Sequence, residues 1–297
     1  MKNVYALQFT TSGRATISMK GNSNNVLLEY SYNGDDWDIW NFKGLNINSG
    51  DTLYIRGNNP DGFSNNNRVY CSFAMKGTDV SCSGNIMSLI DYRKKTLDTI
   101  PCNYCFCGLF KNCTILTSTP ELPAKKLANF CYGSMFAECT SLKTAPELPA
   151  KSLAKGCYEA MFDGCTSLKT APELPATMLA MYCYSSMFSN CFSLKTAPEL
   201  PATELAESCY EHMFEDCASL TTAPELPATM LAEWCYSWMF KNCTSLKTAP
   251  ELPATELAKD CYTDMFYGCT SLKNKPKLTE SYKSRMTFKE YCERNVL

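Results

Sequence analysis

Residues 157–182 read CYEAMFDGCTSLKTAPELPATMLAMY, and this stretch decides the fold because the chain repeats it head to tail. Shifting the sequence by 26 residues aligns it with CYGSMFAECTSLKTAPELPAKSLAKG, which begins at Cys131. Further copies begin at Cys183, Cys209, Cys235 and Cys261, and a divergent first copy begins at Cys105. A fixed period over seven copies is typical of a stacked-repeat protein, in which each unit buries its apolar face against its neighbours.

Each unit contains two patterned segments. In CYGSMFAEC, the residues Cys131, Met135 and Cys139 are spaced i, i+4 and i+8, which predicts a short helix with these side chains on one buried face. The following SLKTAPEL alternates apolar and polar residues and predicts a short strand, which its proline limits to a few residues. Leucines at equivalent positions are therefore expected to form a continuous buried column.

The segment MFDGCTSLKTAPELPA, residues 161–176, places an aromatic residue before a C-x-S-L block and a Leu-Pro step. It resembles the BspA-like leucine-rich repeats of gut-bacterial surface proteins and of some phages of gut bacteria, and the resemblance covers about residues 105–278. The chain departs from that pattern in its Met-Phe pair, its Leu-Pro-Ala step and a period longer than that of many members. The resemblance implies a role in adhesion or recognition, without naming a ligand.

The N-terminal part, residues 1–88, has no repeat and contains alternating segments such as ATISMK and TLYIRG between Asn-, Ser- and Gly-rich turns. Such segments predict strands, and Asn33-Gly34 predicts a type I′ hairpin turn. The expected fold class is therefore α+β, with a small N-terminal antiparallel β-sandwich followed by a leucine-rich-repeat solenoid. We expect residues 89–104 to cap its start, 105–278 to form its seven units, and 279–297 to close it.

Charge and hydropathy exclude several classes of partner. The chain has 28 basic and 30 acidic residues, so its net charge of −2 offers no field that attracts nucleic acid. No segment reaches the 18 or so apolar residues of a membrane span, and the N-terminus lacks a signal-peptide pattern. We therefore expect no membrane insertion, and association with a virion or cell surface after folding in the cytoplasm.

The 19 cysteines recur at fixed positions of the repeat. Eight residues of helix separate Cys131 from Cys139 by about 12 Å, which is too far for a disulfide. Column neighbours are close enough to pair, but an odd number of identical sites leaves one unpaired, so buried free thiols are the preferred interpretation. Zinc binding by the extra Cys102 and Cys107 is the alternative, and no metal or other cofactor is expected.

Catalytic patterns are missing from the sequence. The single histidine, His212, occupies a repeat position that varies from copy to copy, so the fold does not require it. No phosphate-binding glycine loop, nucleophile elbow or HExxH segment is present. The sequence therefore predicts a protein that is not an enzyme.

Candidate binding residues come from positions that differ between copies. Alternate repeats share residues, which gives a 52-residue super-period and places Phe130, Tyr182 and Trp234 in one column, with Trp238 four residues beyond. The core is already filled by leucine, methionine and phenylalanine, so these aromatic side chains are expected at outward positions. Contact with a protein or glycan on a host or bacterial surface is one interpretation, and drift after duplication is the other.

Two functions follow from these observations. The first is a recognition or adhesion protein that displays a solenoid binding face on a cell surface or phage particle. The second is a structural spacer or decoration protein of a larger assembly such as a virion, attached to its scaffold through the N-terminal domain.

Overall fold

The computed structural model describes residues 4–21, 26–66 and 68–273, and within them it contains β-strands, one short 3-10 helix at Ile86–Leu89 and no α-helix. The strands are β1 (Leu7–Thr11), β2 (Arg14–Lys20), β3 (Leu28–Ser31), β4 (Asp38–Ile39), β5 (Leu45–Asn48), β6 (Thr52–Gly57), β7 (Ser72–Gly77), β8 (Val80–Ser83) and β9 (Leu116–Ser118). The part of the chain that the structure describes is therefore all-β, and the prediction of an α+β fold is wrong.

Two sheets share one core in the N-terminal part. The larger has the strand order β4-β3-β6-β1-β8-β9, and the smaller has the order β5-β2-β7. Apolar residues alternate along β1 and β2, which buries Phe9 and Ile17 completely. The rings of Phe9 and Phe73, one from each sheet, lie 5.3 Å apart between centroids. The strands predicted from alternation are confirmed as β1, β2, β3, β6 and β7, whereas β4, β5 and β8 were not predicted.

The turn at Asn33-Gly34 differs from its prediction. Strands β3 and β4 pair as an antiparallel hairpin, as expected, but of the two residues only Gly34 has a positive φ, at 79°. The side chain of Asn33 accepts hydrogen bonds from the N–H groups of Asp35 and Asp36, both at 2.9 Å. This local side-chain bonding replaces the type I′ geometry.

The first repeat continues the N-terminal sheet. Strand β9 lies in that repeat and pairs in parallel with β8, with Val80 opposite Leu116. The ring of Phe73 stacks on Phe110 at 4.9 Å, so the apolar core is also continuous. Within residues 89–104, Ile100 is buried against the same core. The predicted closing segment, residues 279–297, lies outside the described residues.

Each repeat contains a chain of tight turns where the sequence predicted a helix. In the segment around the second repeat, φ is positive at Phe130, Ser134 and Glu138, at 54°, 51° and 61°. A right-handed helix excludes these values. The turn chain repeats every four residues, and nine residues are too few to distinguish a period of 4 from the 3.6 of a helix. The buried i, i+4, i+8 pattern was therefore real, but the helix prediction was wrong.

Backbone hydrogen bonds alternate along this turn segment. The N–H of Met135 closes a turn onto the carbonyl of Tyr132, three residues earlier, at 3.1 Å. The neighbouring N–H of Ser134 donates instead to the carbonyl of Glu159 in the next repeat, at 2.7 Å. Because every second N–H group is satisfied by the next copy, the copies approach more closely than the 8–10 Å between packed helices.

Two aromatic ladders form the core of the repeat stack. Tyrosines one period apart stack from Tyr132 to Tyr262 with centroids 5.7–5.9 Å apart. Phenylalanines stack in the same way from Phe110 to Phe266 at 5.4–5.7 Å. Each such ring buries about 150–250 Å² of surface, so the ladders supply a large part of the stabilisation of the stack.

Cysteine thiols bond the ladder from one repeat to the next. The Sγ of Cys139 donates to the carbonyl of Phe110 at 3.1 Å, and Cys165 makes the equivalent bond to Phe136 at 3.2 Å. A thiol is small enough for this packed position and still donates a weak hydrogen bond. The described cysteines are buried apart from Cys102 and Cys269, which confirms the predicted burial.

The opposite side of each repeat is extended but hardly forms a sheet. A strand is present in the first repeat as β9, whereas later copies make single bridges such as Thr170 with Thr196 and Thr196 with Thr222. The A-P-E-L-P sequence explains this, because each proline lacks the N–H that a ladder needs. The predicted strand is therefore confirmed in the first repeat alone.

Candidate functional site

Residues that vary between copies lie on the turn segments, on what we call the turn face. It is formed by the positive-φ positions and the residues beside them, whereas the intervening Cys, Tyr, Met and Phe are buried in nearly every copy. The first positive-φ position of the turn segments is occupied in turn by Tyr104, Phe130, Gly156, Tyr182, Ser208, Trp234 and Asp260. This column contains three of the four predicted binding residues.

Phe130 is partly exposed and packs between its neighbours in the column. Its ring stacks on Tyr104 with centroids 5.0 Å apart and planes 5° apart. On the other side it covers Gly156, where an added Cβ would lie 2.2 Å from Cε1 of the ring. Glycine at position 156 therefore leaves the space that the Phe130 ring occupies, and it adopts the positive φ of this column, here 56°, without strain.

Tyr182 and Trp234 follow the same alternation of a large residue with a small one. Both are partly exposed, and Ser208 between them is only 2% exposed. The Nζ of Lys155 lies 5.9 Å from the centroid of the Tyr182 ring. Within the described residues no ring contact joins Phe130 to Tyr182 or Tyr182 to Trp234, so the predicted column is three separate aromatic positions.

Trp234 and Trp238 do come together, and His212 joins them. The two indoles lie 5.8 Å apart between centroids, and the Trp238 ring is parallel to the His212 imidazole at 4.8 Å. All three side chains are partly exposed. We call these three residues the tryptophan cluster.

Charged groups surround the tryptophan cluster. Nδ1 of His212 bonds Oε2 of Glu215, whose other oxygen lies 2.7 Å from Nζ of Lys241. These two partners, His212 first, hold the pKa of Glu215 at about 2, well below its usual range. Nε1 of Trp234 donates to Glu233 at 2.9 Å. The site therefore combines flat apolar rings with both hydrogen-bond donors and acceptors.

The sequence reasoning missed His212, Glu215 and Lys241 as parts of this site. His212 was treated as incidental because its column varies. The signal was present, however, because residues one period apart are neighbours in the stack. His212 and Trp238 are separated by 26 residues, as are Glu215 and Lys241, so the ring stack and the ion pair are both visible at that offset.

The other surface features offer fewer groups that could bind a ligand. Between adjacent P-E-L-P segments lie open grooves, one of about 370 Å³ lined by Glu225, Pro227 and Pro250 and their neighbours. In the part of the chain that the structure describes, no group of three acidic, cysteine or histidine side chains is close enough to hold a metal. The predicted alternative zinc site, at Cys102 and Cys107, therefore lies in no such group of ligands among the described residues.

Comparison with known families agrees with this stacked geometry. The BspA type leucine-rich repeat region matches in six copies across residues 106–221 and 183–286, which together exceed half of the chain. The chain belongs to the BspA type leucine-rich repeat family. Members of this family are repeat proteins that take part in protein–protein interactions, and the family is not an enzyme family. A comparison with curated proteins and with solved structures gives no significant match.

Among residues 4–21, 26–66 and 68–273, no helix has the length and hydropathy to cross a membrane.

Proposed function

We propose that this BspA-type protein is a non-enzymatic recognition protein whose solenoid turn face binds a partner on a cell surface or phage particle. The tryptophan cluster is the observation that carries the proposal. Trp234, Trp238 and His212 expose parts of flat rings at positions that the fold leaves free to vary, beside groups that donate and accept hydrogen bonds. Exposed tryptophans with polar surroundings are typical of interface hot spots.

The chemistry of the cluster suits a protein segment or a glycan. Indole faces pack against apolar side chains or against the C–H face of a sugar ring. Glu215, which is bonded to the His212 ring stacked on Trp238, and its ion-pair partner Lys241 then provide an acceptor and a donor. Their own ion pair keeps both side chains in place before a partner arrives, which lowers the entropy that binding must offset.

Point variants of the full chain test this proposal, because the N-terminal sheet extends into the first repeat and the two parts are not independent. Arrays of bacterial-surface proteins and glycans are screened with the wild type, and hits are re-measured with Trp234→Ser and Trp238→Ser. Loss of either indole is expected to weaken binding about thirtyfold or more. The control is Phe192→Ser, which removes a ring that is 47% exposed at a position outside the cluster.

Melting temperatures separate loss of contact from loss of fold. Because the indoles are partly buried against each other, each serine variant is expected to lose a few degrees but to remain folded at the assay temperature. Binding that survives both tryptophan substitutions contradicts the proposal.

A structural spacer is the second candidate, and the aromatic stacking favours it. Rings stack without a break from Phe9 through Phe73 and Phe110 to Phe266, so the chain has a continuous rigid core. In that case attachment depends on the N-terminal part. Replacing Ile39, which is 81% exposed on edge strand β4, by Glu is then expected to abolish scaffold binding while the tryptophan variants have no effect.

A further inference from the structure

The last residues of each repeat, which lead into the next turn segment, form a row along one side of the stack. Single parallel bridges join Ser152 to Met178 and Glu204 to Met230, so neighbouring repeats are aligned here. The N–H of Leu153 also donates to the carbonyl of Met178 at 3.1 Å. We call the following six residues the edge row: Lys151 and Lys155 of repeat 2, Met178 and Met181 of repeat 3, and Glu204 and Glu207 of repeat 4.

The edge row changes from basic through apolar to acidic. Met178 is 62% exposed at its centre, an unusual position for a large apolar side chain. Lys151, Lys155 and Glu204 are exposed and Glu207 is partly exposed. Within the described residues none of these four charges makes an ion pair.

Duplication explains only part of this pattern, because Met178 recurs as Met230 and Glu204 recurs as Glu256, each 52 residues further on. The 52-residue super-period makes repeats 2 and 4 copies of the same unit, so their edge residues should match. Lys155 instead corresponds to Glu207, with the opposite charge, and Ser152 corresponds to Glu204. The buried leucines and the Cys, Tyr, Met and Phe core positions of these repeats remain identical, whereas the exchange of Lys155 for Glu207 lies at the surface edge.

The pattern is self-complementary about its centre. We propose that the edge row is an interface between two antiparallel copies of this chain, with the twofold axis at Met178 and Met181. Lys155 lies one repeat before Met181 and Glu207 one repeat after it, and the repeats are spaced 5.8 Å apart by their tyrosine rings. Antiparallel pairing therefore brings Lys155 opposite Glu207 of the partner subunit, and the same contact recurs on the other side of the axis.

The interface is small, and its expected strength follows from that. Three repeats of edge, one or two side chains wide, fall below the range of about 1,200–2,000 Å² that stable complexes bury. The methionines supply the apolar contact, and exposed ion pairs contribute mainly register and are screened by salt. A dimer with a Kd on the order of micromolar, weakened by salt, is expected.

Sedimentation equilibrium of the full chain, from about 1 to 100 µM, tests the association without any ligand. Wild type is expected to be a dimer at the upper end. Met178→Glu places two carboxylates together on the axis and is expected to weaken the dimer at least tenfold. Met230→Glu is the matched control, because Met230 is 61% exposed at the equivalent position two repeats away from the axis. Its dimer should be as tight as that of the wild type.

Charge reversal tests the antiparallel register. Lys155→Glu alone and Glu207→Lys alone each place like charges opposite each other twice, so each variant is expected to be monomeric. A mixture of the two single variants, and the double variant by itself, both restore opposite charges and should dimerise again. A wild type that stays monomeric overturns the proposal, and so does a dimer that is indifferent to Met178→Glu or is not restored by reversal. Partner binding through the tryptophan cluster is measured separately, so either proposal can fail without the other.

Discussion

Ala160 lies at a left-handed position of the third turn segment, with φ at 50°, and its replacement by glycine tests the turn-chain fold directly. An L-residue in this conformation costs about 1–2 kcal/mol, which glycine avoids. Glycine also has more conformational freedom in the unfolded chain, which lowers the stability of the folded state by about 0.4–1 kcal/mol. The expected net effect is a stabilisation of about 0.5–1 kcal/mol. The chain itself has glycine at the equivalent Gly108, with φ at 66°.

A helix at this segment would give the opposite sign. Glycine in a helix interior is about 1 kcal/mol less favourable than alanine, so the two structures differ by about 1.5–2 kcal/mol in what Ala160→Gly does. Urea unfolding followed by far-UV circular dichroism measures this, and a melting temperature about 1–4 °C higher should accompany it. Ala218→Gly is the control, since Ala218 is also partly exposed but does not have a positive φ. The Ala218→Gly substitution should lower the stability of the folded state. A loss of stability in Ala160→Gly would refute the assignment of left-handed turns.

Three further predictions concern the core, the cluster and the thiols. Phe188→Ala interrupts the buried ladder and should cost about 3–5 kcal/mol in chemical unfolding, whereas Phe192→Ala, on the surface, should cost less than about 0.5 kcal/mol. Because the pKa of Glu215 is lowered from 4.5 to about 2, its contribution is complete above pH 4.5 and disappears as the pH falls towards 2. Glu215→Gln should therefore lose about 1 kcal/mol at pH 7 and much less at pH 2; a difference that is constant with pH would contradict this. Burial raises the pKa of thiols such as Cys131 to about 12, so labelling of native protein should be slow and should reach nearly all 19 cysteines after denaturation without reductant; a small count then would indicate disulfides.

The candidate site was predicted in part. Trp234 was found because its column alternates between copies, and Trp238 because it lies four residues beyond, but Phe130 and Tyr182 do not contact them. His212 was missed because it was judged within its own column and not against Trp238, 26 positions away, and Lys241 was not considered. Whether the cluster binds a partner stays a prediction.

The sequence by itself determined the period, the buried columns and the main N-terminal strands. These are properties of apolar spacing, which any folded form must satisfy. It also contained a sign of the turn chain that spacing alone did not reveal: Asn190, Asp216 and Gly268 share one column, and these residue types tolerate positive φ.

The tertiary structure alone decided whether each repeat contains a helix or a chain of turns. It also decided how the N-terminal part joins the repeats. A period near four satisfies both local conformations, so the choice depends on where the alternate N–H groups find carbonyls, and those lie in the next repeat. In the same way β9 becomes a strand because β8 lies beside it, whereas its copies, facing only proline-containing segments, do not. Both outcomes depend on hydrogen-bond partners distant in sequence, which no local pattern specifies.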